Sequence, residues 1–419
     1  MDPGPSKQRV IGEGDMVLLQ TPSGETRHAK VERKATINIG KFGNFPSSEL
    51  VGKWPGFSYD IVSHKLHILP PRTIEELEDT DANNELINDG SFVQPLTHPE
   101  IEELKRSGAS FTEIWKRQTE QHANYELKTE YSKEKYKKRK EAKFAKRVTI
   151  IEPTIFNVCD YWFTRDPSRV RDMRPDTLSQ IISMANVQSG SRIIIVDDTG
   201  GLILAAALDR MGGSGTVVAI SDSSQAPSYP CISSMNFSPE QLKPLSTLLN
   251  WVHVDEEWAP RVTYESPEAA ALHRKFERDN ARIIKRREAF LALQAHREDL
   301  FSGEWDALLI SSNHEPHSII EKLAPYLAGS SSIIVHSPYV HVLTEAQVKL
   351  RADPQYLGSS ITEGWLRRYQ ILPGRTHPTM QTSGSGGYLL QTIKVYVRFS
   401  RGTPRFVWTP IHVPLQVSR

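Results

Sequence analysis

Residues 192–202 read RIIIVDDTGGL, and this stretch decides the fold. Its first six residues form an apolar run of strand length, and a turn with two glycines follows. Residues 202–211 have the composition of a helix, and TVVAIS at 216–221 predicts a second strand. A strand, a glycine turn, a helix and another strand are typical of an α/β domain with a parallel sheet.

The same pattern extends in both directions and predicts a Rossmann-like domain over residues 151–419. A helix is expected at 177–185, before the first strand. A long charged helical stretch at 267–300 precedes the fourth strand. The remaining strands are predicted at 249–254, 306–311 and 332–336, with an antiparallel-looking pair at 367–372 and 388–399.

The amino-terminal residues 10–69 have a different pattern. Short apolar runs (MVLL, KVERKATINIG, FSYDIV, KLHIL) alternate with the turn signals TPSG, GKFGNFPSSE and GKWPG. Several short strands at this spacing predict a small β-barrel or sandwich. We assign residues 1–97 to an amino-terminal β-barrel domain that includes an acidic loop. Residues 98–150 are expected to form a charged helical connector, with helices at 100–106 and from 111 into a basic block.

Composition excludes several classes of protein. The chain has 419 residues, of which 38% are hydrophobic and 24% charged, so it is not a wholly disordered protein. No apolar stretch approaches the roughly 18 residues of a transmembrane helix, and MDPGPSKQRV has no apolar signal region. Two cysteines, Cys159 and Cys231, cannot by themselves form a disulfide framework or a zinc site. We therefore expect no membrane contact and a reducing, intracellular compartment.

The net charge of +1 hides two opposite blocks. Residues 72–103 contain ten acidic residues and one basic residue, whereas 133–147 contain nine cations and two glutamates. With Tyr136 and Phe144 interleaved, the basic block favours contact with nucleic acid, although a nuclear-import signal or a solvated face stays open. The import reading predicts a nuclear protein. The cations are Lys133, Lys135, Lys137, Lys138, Arg139, Lys140, Lys143, Lys146 and Arg147.

The glycine turn is a degraded cofactor turn. Turns that bind S-adenosylmethionine usually read E/D-x-G-x-G-x-G, because the backbone must approach the ligand closely. Here Leu202 and Ile203 follow Gly201, where their side chains would occupy the ligand's space. After the next strand, Asp222 comes one position late for a ribose contact, so it is a displaced ligand or a loop aspartate.

The fourth strand also lacks the expected chemistry. N-methylating enzymes of this fold place an acidic or amide residue followed by prolines at its end, whereas LISSNHEP at 309–316 has no carboxylate at the tip, and Asp306 belongs to the strand start. We therefore predict no catalytic residue and no bound cofactor in this chain. The histidines lack metal-ligand spacing, so no metal is expected. The SGSGG run at 383–387 precedes a strand, which favours a turn over a phosphate cradle.

Several motifs together carry a family resemblance. They are GKFGNF with LVG at 40–52, EYSKEKYKKRKEAKFAKRV at 130–148, RIIIVDDTGGL, and RYQILPGRTHPTMQTSGSGGYLL at 368–390. The set resembles the non-catalytic subunit of the eukaryotic tRNA (adenine-N1) methyltransferase that modifies the T-loop, most closely its fungal form. The resemblance covers nearly the whole chain.

This resemblance implies a heterotetramer of two non-catalytic and two catalytic chains that acts on tRNA, with S-adenosylmethionine bound by the catalytic partner. It implies an amino-terminal β-barrel and a class I methyltransferase fold with a degenerate cofactor site. RTHP at 375–378 matches an Arg-x-His-Pro segment of the family, so Arg375 and His377 are candidate RNA or interface contacts. A structural loop arginine is the alternative for Arg375.

Two other functions stay open at this point. The chain could itself be an active S-adenosylmethionine-dependent RNA methyltransferase, which the degraded turn disfavours. It could also be a stand-alone RNA-binding translation initiation factor, which would need no partner chain.

Overall fold

The chain folds into two compact units that interleave along the sequence. The computed structural model describes residues 10–69, 145–222, 229–258, 277–372 and 375–396, with six further positions between 99 and 117. The first unit contains the residues up to Arg165, Ser233–Asn236 and Leu366–Gly384. The second contains Asp166–Ile232, Phe237–Trp365 and the residues from Ser385 onward. The predicted domains 1–97, 98–150 and 151–419 are sequential and differ from these units.

The first unit is built on a five-stranded antiparallel sheet in the order β2-β1-β7-β5-β6, with a separate β3-β4 hairpin. Among the described strands, no pairing joins the edge strands β2 and β6, so the predicted closed barrel is not confirmed. Its strands are β1 (Met16–Gln20), β2 (Thr26–Lys30), β3 (Thr36–Asn38), β4 (Asn44–Pro46), β5 (Ser58–Val62), β6 (Lys65–Ile68) and β7 (Arg147–Ile151).

Strand β7 lies in the centre of this sheet although it comes almost 80 residues after β6. Its register places Ile150 opposite Leu19 of β1 and Val148 opposite Tyr59 of β5. The alternation of RVTII buries Val148 and Ile150 in the core of the unit. The sequence pattern placed these residues in the helical connector, and that assignment is wrong for β7. The other helices predicted at 100–106 and from 111 lie largely outside the described residues.

The first unit also contains a helix and a hairpin from later in the chain. Helix α1 (Ile155–Arg165) follows β7, and strands β14 (Tyr369–Leu372) and β15 (Arg375–Pro378) pair with each other. The predicted pairing of 367–372 with 388–399 is therefore wrong, because β14 finds its partner in the next few residues.

The second unit is a seven-stranded sheet in the order β10-β9-β8-β11-β12-β16-β13. Strands β8 to β12 run parallel, and β16 is antiparallel to both of its neighbours. The strands are β8 (Arg192–Asp197), β9 (Thr216–Ser221), β10 (Leu245–Asn250), β11 (Trp305–Ser311), β12 (Leu327–Ser337), β13 (Tyr356–Glu363) and β16 (Tyr388–Lys394).

Helices connect these strands: α2 (Pro175–Met184), α3 (Leu202–Met211), α4 (Pro230–Ser234), α5 (Pro239–Leu242), α6 (Glu277–Phe301), α7 (Pro316–Leu323) and α8 (Val340–Ala352). Isoleucines 193–195 of β8 are fully buried, as expected for a central strand of a parallel sheet whose two faces are covered. The Rossmann-like prediction is confirmed for this unit. None of the described helices is long and apolar enough to cross a membrane.

Strand order reverses at β8, which pairs with β9 on one side and β11 on the other. In open α/β sheets, ligands bind at such a switch point, beyond the carboxyl ends of the strands. The carboxyl ends of β8, β9 and β11 therefore define the candidate functional edge of the second unit.

Two element limits differ from the sequence prediction. The strand expected at 249–254 is β10, which ends at Asn250 because the Asn250 side chain accepts a hydrogen bond from the Val252 amide (3.0 Å) and begins a short 3₁₀ turn. The long helix expected at 267–300 begins by Glu277 as α6, and residues 259–276 lie outside the described part.

Candidate functional site

The glycine turn after β8 is occupied by the protein itself. Gly201 has a left-handed backbone (φ 82°), and a Cβ added there would lie 2.7 Å from the Cβ of Tyr229. A Rossmann turn keeps this close approach for its ligand. Here the side chain of Tyr229 takes that place, and Pro230 and Arg169 pack over Gly200.

The buried carboxylate of Asp197 closes the same turn. Its Oδ1 accepts hydrogen bonds from the Thr199 amide (2.7 Å) and the Thr199 hydroxyl (2.5 Å), and its Oδ2 accepts one from the Leu204 amide (3.0 Å). Burial raises the pKa of Asp197, opposed by these hydrogen bonds. The last of these bonds pairs an amide in the first turn of α3 that has no partner within the helix, so the carboxylate stabilises the start of α3.

A polar network covers the carboxyl end of β11. Asp198 Oδ2 accepts hydrogen bonds from the Ser312 hydroxyl (2.7 Å) and the Asn313 amide (3.0 Å). Arg171 donates to the Asn313 side chain, and burial lowers the pKa of this arginine, opposed first by the charge of Asp198. The strand has no acidic residue of its own at this end, as predicted, but the neighbouring strand supplies Asp198. That carboxylate is engaged by its own chain.

The remaining candidate at this edge is Asp222, directly after β9. Its side chain is well exposed, and its Oδ2 lies 3.7 Å from His314 Nε2.

Asp306 lies at the start of β11, as predicted, and accepts a hydrogen bond from the Arg192 amide (2.8 Å). Among the described residues, no group of three or more acidic, cysteine or histidine side chains could hold a metal ion. At this edge, the carboxylates of Asp197 and Asp198 accept hydrogen bonds from the protein itself, whereas Asp222 is exposed beside His314.

The SGSGG run at 383–387 packs against buried polar side chains. A Cβ at Gly387 (φ 86°) would overlap His336 Nε2, and one at Gly386 would lie 2.6 Å from Arg174 Nε. His336 is fully buried and hydrogen-bonds Ser311 through Nδ1 (2.9 Å). Burial and the positive charge of Arg171 lower the pKa of His336 to about 3, so the ring is neutral at pH 7. These glycines serve close packing, which agrees with the turn interpretation of the run.

The predicted RNA-binding residues belong to the first unit where the structure describes them. Lys146 is exposed, whereas Arg147 begins β7 and donates to Asp60 (3.1 Å). His377 lies in β15, with Nδ1 2.6 Å from the carbonyl oxygen of Pro378. Arg375 begins β15, and its side chain lies outside the described part. The same is true of Lys133, Lys135, Lys137, Lys138, Arg139, Lys140 and Lys143.

A sequence profile of the Gcd10p family matches residues 10–281, well over half of the chain. The chain belongs to the Gcd10p family. The resemblance seen in its motifs is thereby confirmed at the level of the family.

Full-length relatives extend the comparison beyond the profile. This Gcd10p-family chain is 28% identical to a protein of Debaryomyces hansenii over 93% of its own length and 88% of the relative. It is 29% identical to a protein of Schizosaccharomyces pombe over 92% of both chains, and 25% identical to one of Mus musculus over 96% and 92%. All three relatives are named as the non-catalytic subunit of tRNA (adenine(58)-N(1))-methyltransferase.

A solved structure supports the fold alone. An S-adenosylmethionine-dependent O-methyltransferase of Thermotoga maritima covers 93% of this chain and 97% of its own, with a TM-score of 0.51 and 14% identity. The Gcd10p-family chain therefore has the methyltransferase fold, and its cofactor edge must be judged from its own residues.

Sequence reasoning missed the residue that occupies the turn. Tyr229 comes from the segment before α4, and nothing in its neighbourhood indicates that it meets Gly201. The pair Gly200–Gly201 does indicate that another group approaches the backbone closely, but it does not show which residue that is. Arg174 was also missed: it is 1% exposed and donates to Asp176 (2.9 and 2.8 Å) and to the Gly364 carbonyl (2.8 Å).

Proposed function

We propose that this chain is the non-catalytic, tRNA-binding subunit of a tRNA (adenine(58)-N(1))-methyltransferase and is required for N1-methylation of adenine in the T-loop by a catalytic partner. The match over more than nine-tenths of the chain to relatives with that name carries the proposal. A folded tRNA is larger than one domain, so a second chain with the same fold extends the surface that can hold it and open its elbow.

The second part of the proposal is that the chain binds no S-adenosylmethionine. The residues at the carboxyl edge do not fit this cofactor. Tyr229 lies against Gly201, and the Asp197 carboxylate already accepts hydrogen bonds from the Thr199 and Leu204 amides. Strand β11 ends at Ser311 and Ser312 follows it, and neither hydroxyl is a base for a reacting nitrogen. We assign the cofactor to the catalytic partner.

The third part concerns the surface, the assembly and the place of action. We assign RNA contact to the cations of the basic block, Lys133–Arg147, and to Arg375 and His377. Arg147 is the weakest member, because its guanidinium already pairs with Asp60 and both side chains are mostly buried. An arginine at 375 suits RNA because a guanidinium can bind phosphate through two nitrogens and stack on bases. Assembly as a heterotetramer with the catalytic chain, in the nucleus, completes the proposal.

Co-expression with the catalytic subunit tests this function. We expect the two chains to co-purify in equal amounts and to methylate adenine in the T-loop, while either chain alone shows less than about one-hundredth of that rate, because each supplies a part that the other lacks. Methylation by this chain alone would contradict the proposal. So would full activity of the partner alone, or stable purification of this chain with no partner from cells that express both.

A further inference from the structure

Strands β13 and β16 are joined by a connecting segment, residues 364–387, that leaves the second unit and returns to it. The last ladder pair of the two strands is Glu363 with Tyr388. Between them, Leu366–Gly384 belongs to the first unit and contains the hairpin of β14 and β15. The residues on either side of that range therefore form two ends of the connecting segment that belong to the second unit.

Arg174, directly before α2, contacts both ends of the connecting segment. Its Nη2 donates a hydrogen bond to the Gly364 carbonyl oxygen at the first end (2.8 Å). At the second end, a Cβ added to Gly386 would lie 2.6 Å from Arg174 Nε and 2.8 Å from Arg174 Cβ. Only glycine leaves room for the arginine at this distance. One side chain therefore fixes the place of both ends.

Asp176 fixes the orientation of this guanidinium. Its Oδ1 accepts a hydrogen bond from Arg174 Nε (2.9 Å), and its Oδ2 accepts one from Nη2 (2.8 Å). Such a two-point pair holds the plane of the guanidinium as well as its position. Asp176 also lies against the first end, because a Cβ on Gly364 would come within 2.8 Å of its Oδ2. The ion pair and the two glycines form one packed cluster, in which Arg174 is 1% exposed.

Directed bonding distinguishes Arg174 from an apolar side chain of similar size. A buried ion pair is often no more stabilising than apolar packing, because both charges lose their water. An apolar side chain, however, could not bond the Gly364 carbonyl oxygen. Fixing both ends removes conformational freedom from the connecting segment during folding, so less is lost when a ligand binds to it.

A second anchor of the hairpin lies in the first unit and is weaker. Arg368 donates to Asp160 of α1, and the Arg368 carbonyl oxygen accepts a hydrogen bond from the Thr379 amide (2.8 Å). The side chains of this ion pair are 56% and 29% exposed, and exposed pairs contribute little because water and salt screen them. The buried contacts of Arg174 are therefore the stronger restraint on the connecting segment.

We propose that Arg174 is a positioning residue for RNA binding, which holds both ends of the connecting segment so that β14 and β15 are ordered before tRNA binds. This inference rests on the proposed function, which assigns RNA contact to His377 of β15. Because Arg174 is buried, it acts through the connecting segment and not by touching RNA.

The test replaces Arg174 by lysine in the assembled two-chain complex and measures kcat and KM for tRNA methylation. Lysine keeps a positive charge beside Asp176 but lacks the planar fork that reaches Asp176 and Gly364 together. We expect KM for tRNA to rise about tenfold, because the hairpin is ordered in only about a tenth of the complexes, while kcat stays within about twofold. A role in folding alone would lower kcat by leaving less folded complex and would not change KM, and that result would overturn the inference.

Amide hydrogen exchange of the same variant reports on the hairpin directly. We expect the amides of β14 and β15 to exchange at least about tenfold faster than in the wild type, and those of β8 in the core to exchange at the same rate. Equal acceleration in β8 would mean that the second unit as a whole is destabilised, which contradicts a positioning role. This measurement needs no RNA.

Arg351→Lys is the matched control. Arg351 donates through Nε and Nη2 to the Ser359 carbonyl oxygen within β13 (3.3 and 3.1 Å), so the same substitution removes the same kind of bond away from the connecting segment. We expect KM for tRNA within about twofold of wild type, and unchanged exchange of β14 and β15. A rise in KM equal to that of Arg174→Lys would show that any guanidinium bond to β13 has this effect, and would overturn the inference.

Asp176→Asn gives the answer if Arg174→Lys does not fold. Asparagine keeps the size of the side chain and removes the charge that orients Arg174, so KM should rise by about threefold and β14 and β15 should exchange faster. Unchanged KM and unchanged exchange would overturn the positioning role. If the wild-type complex methylated no tRNA, the proposed function itself would fail, and the exchange measurement would still test whether Arg174 orders the hairpin.

Discussion

Replacement of Lys137, Lys138, Arg139 and Lys140 by glutamine is expected to weaken tRNA binding by the assembled complex by about a hundredfold at physiological salt. Four adjacent cations can each neutralise a phosphate, and removal of each such cation lowers the dependence of log K on log salt by roughly 0.9. Affinity measured by fluorescence anisotropy between about 0.05 and 0.3 M salt gives both quantities. This is the largest effect on binding that we expect from the first unit's sequence.

The same block supplies its own control. Glu134→Gln with Glu141→Gln removes the two acids of the block, so tRNA affinity should stay equal or rise. An unchanged salt slope in the four-glutamine variant would assign the block to nuclear import. A loss of affinity in the glutamate variant would show that the substitutions act through something other than charge.

Replacement of Gly387 by alanine is expected to destabilise the second unit by about 3 kcal/mol or more, which is over a hundredfold in the folding equilibrium. The added methyl group would overlap the buried His336 ring, and forcing extra volume into a packed site costs about 1–3 kcal/mol. The backbone at Gly387 has a φ of 86°, where a side chain adds about 1–2 kcal/mol. Thermal unfolding of the full chain measures the change.

Gly384 is the matched control in the same run. A Cβ there meets no atom within 4 Å, and its φ is not positive, so Gly384→Ala should change stability by less than about 0.5 kcal/mol. In a His336→Ala background the penalty of Gly387→Ala should shrink to its backbone part. Equal effects at 384 and 387 would show that the run is an unpacked loop and that the geometry at His336 is wrong.

The fold of the second unit was predictable where local pattern decides it. The apolar run RIIIVD, followed by a glycine turn, predicts a strand buried on both faces. Elements β8, α3 and β9 have the limits that the sequence predicts. Pairing between distant segments was not predictable. Strand β7 pairs with β1 and β5, and β16 lies between β12 and β13. The local sequence of β7 or β16 does not show which strands are its partners.

In the candidate site too, local features could be predicted from the sequence and long-range contacts could not. The degraded turn was readable from Leu202 and Ile203, because the spacing of the glycines is local information. The side chain that occupies it was not, since Tyr229 reaches Gly201 through tertiary packing. Asp198 likewise belongs to the turn in the sequence. In the structure, its carboxylate accepts hydrogen bonds from Ser312 and Asn313, which directly follow β11. The sequence therefore indicated a turn without the usual glycine spacing, and the structure shows that Tyr229 lies against it.

The most direct test of the central claim is a calorimetric titration of the purified two-chain complex with S-adenosylmethionine, alongside the same titration of this chain alone. We predict one bound cofactor for each catalytic chain in the complex and no micromolar binding to this chain. Two cofactors for each pair of chains, or micromolar binding to this chain alone, would contradict the assignment of a non-catalytic subunit.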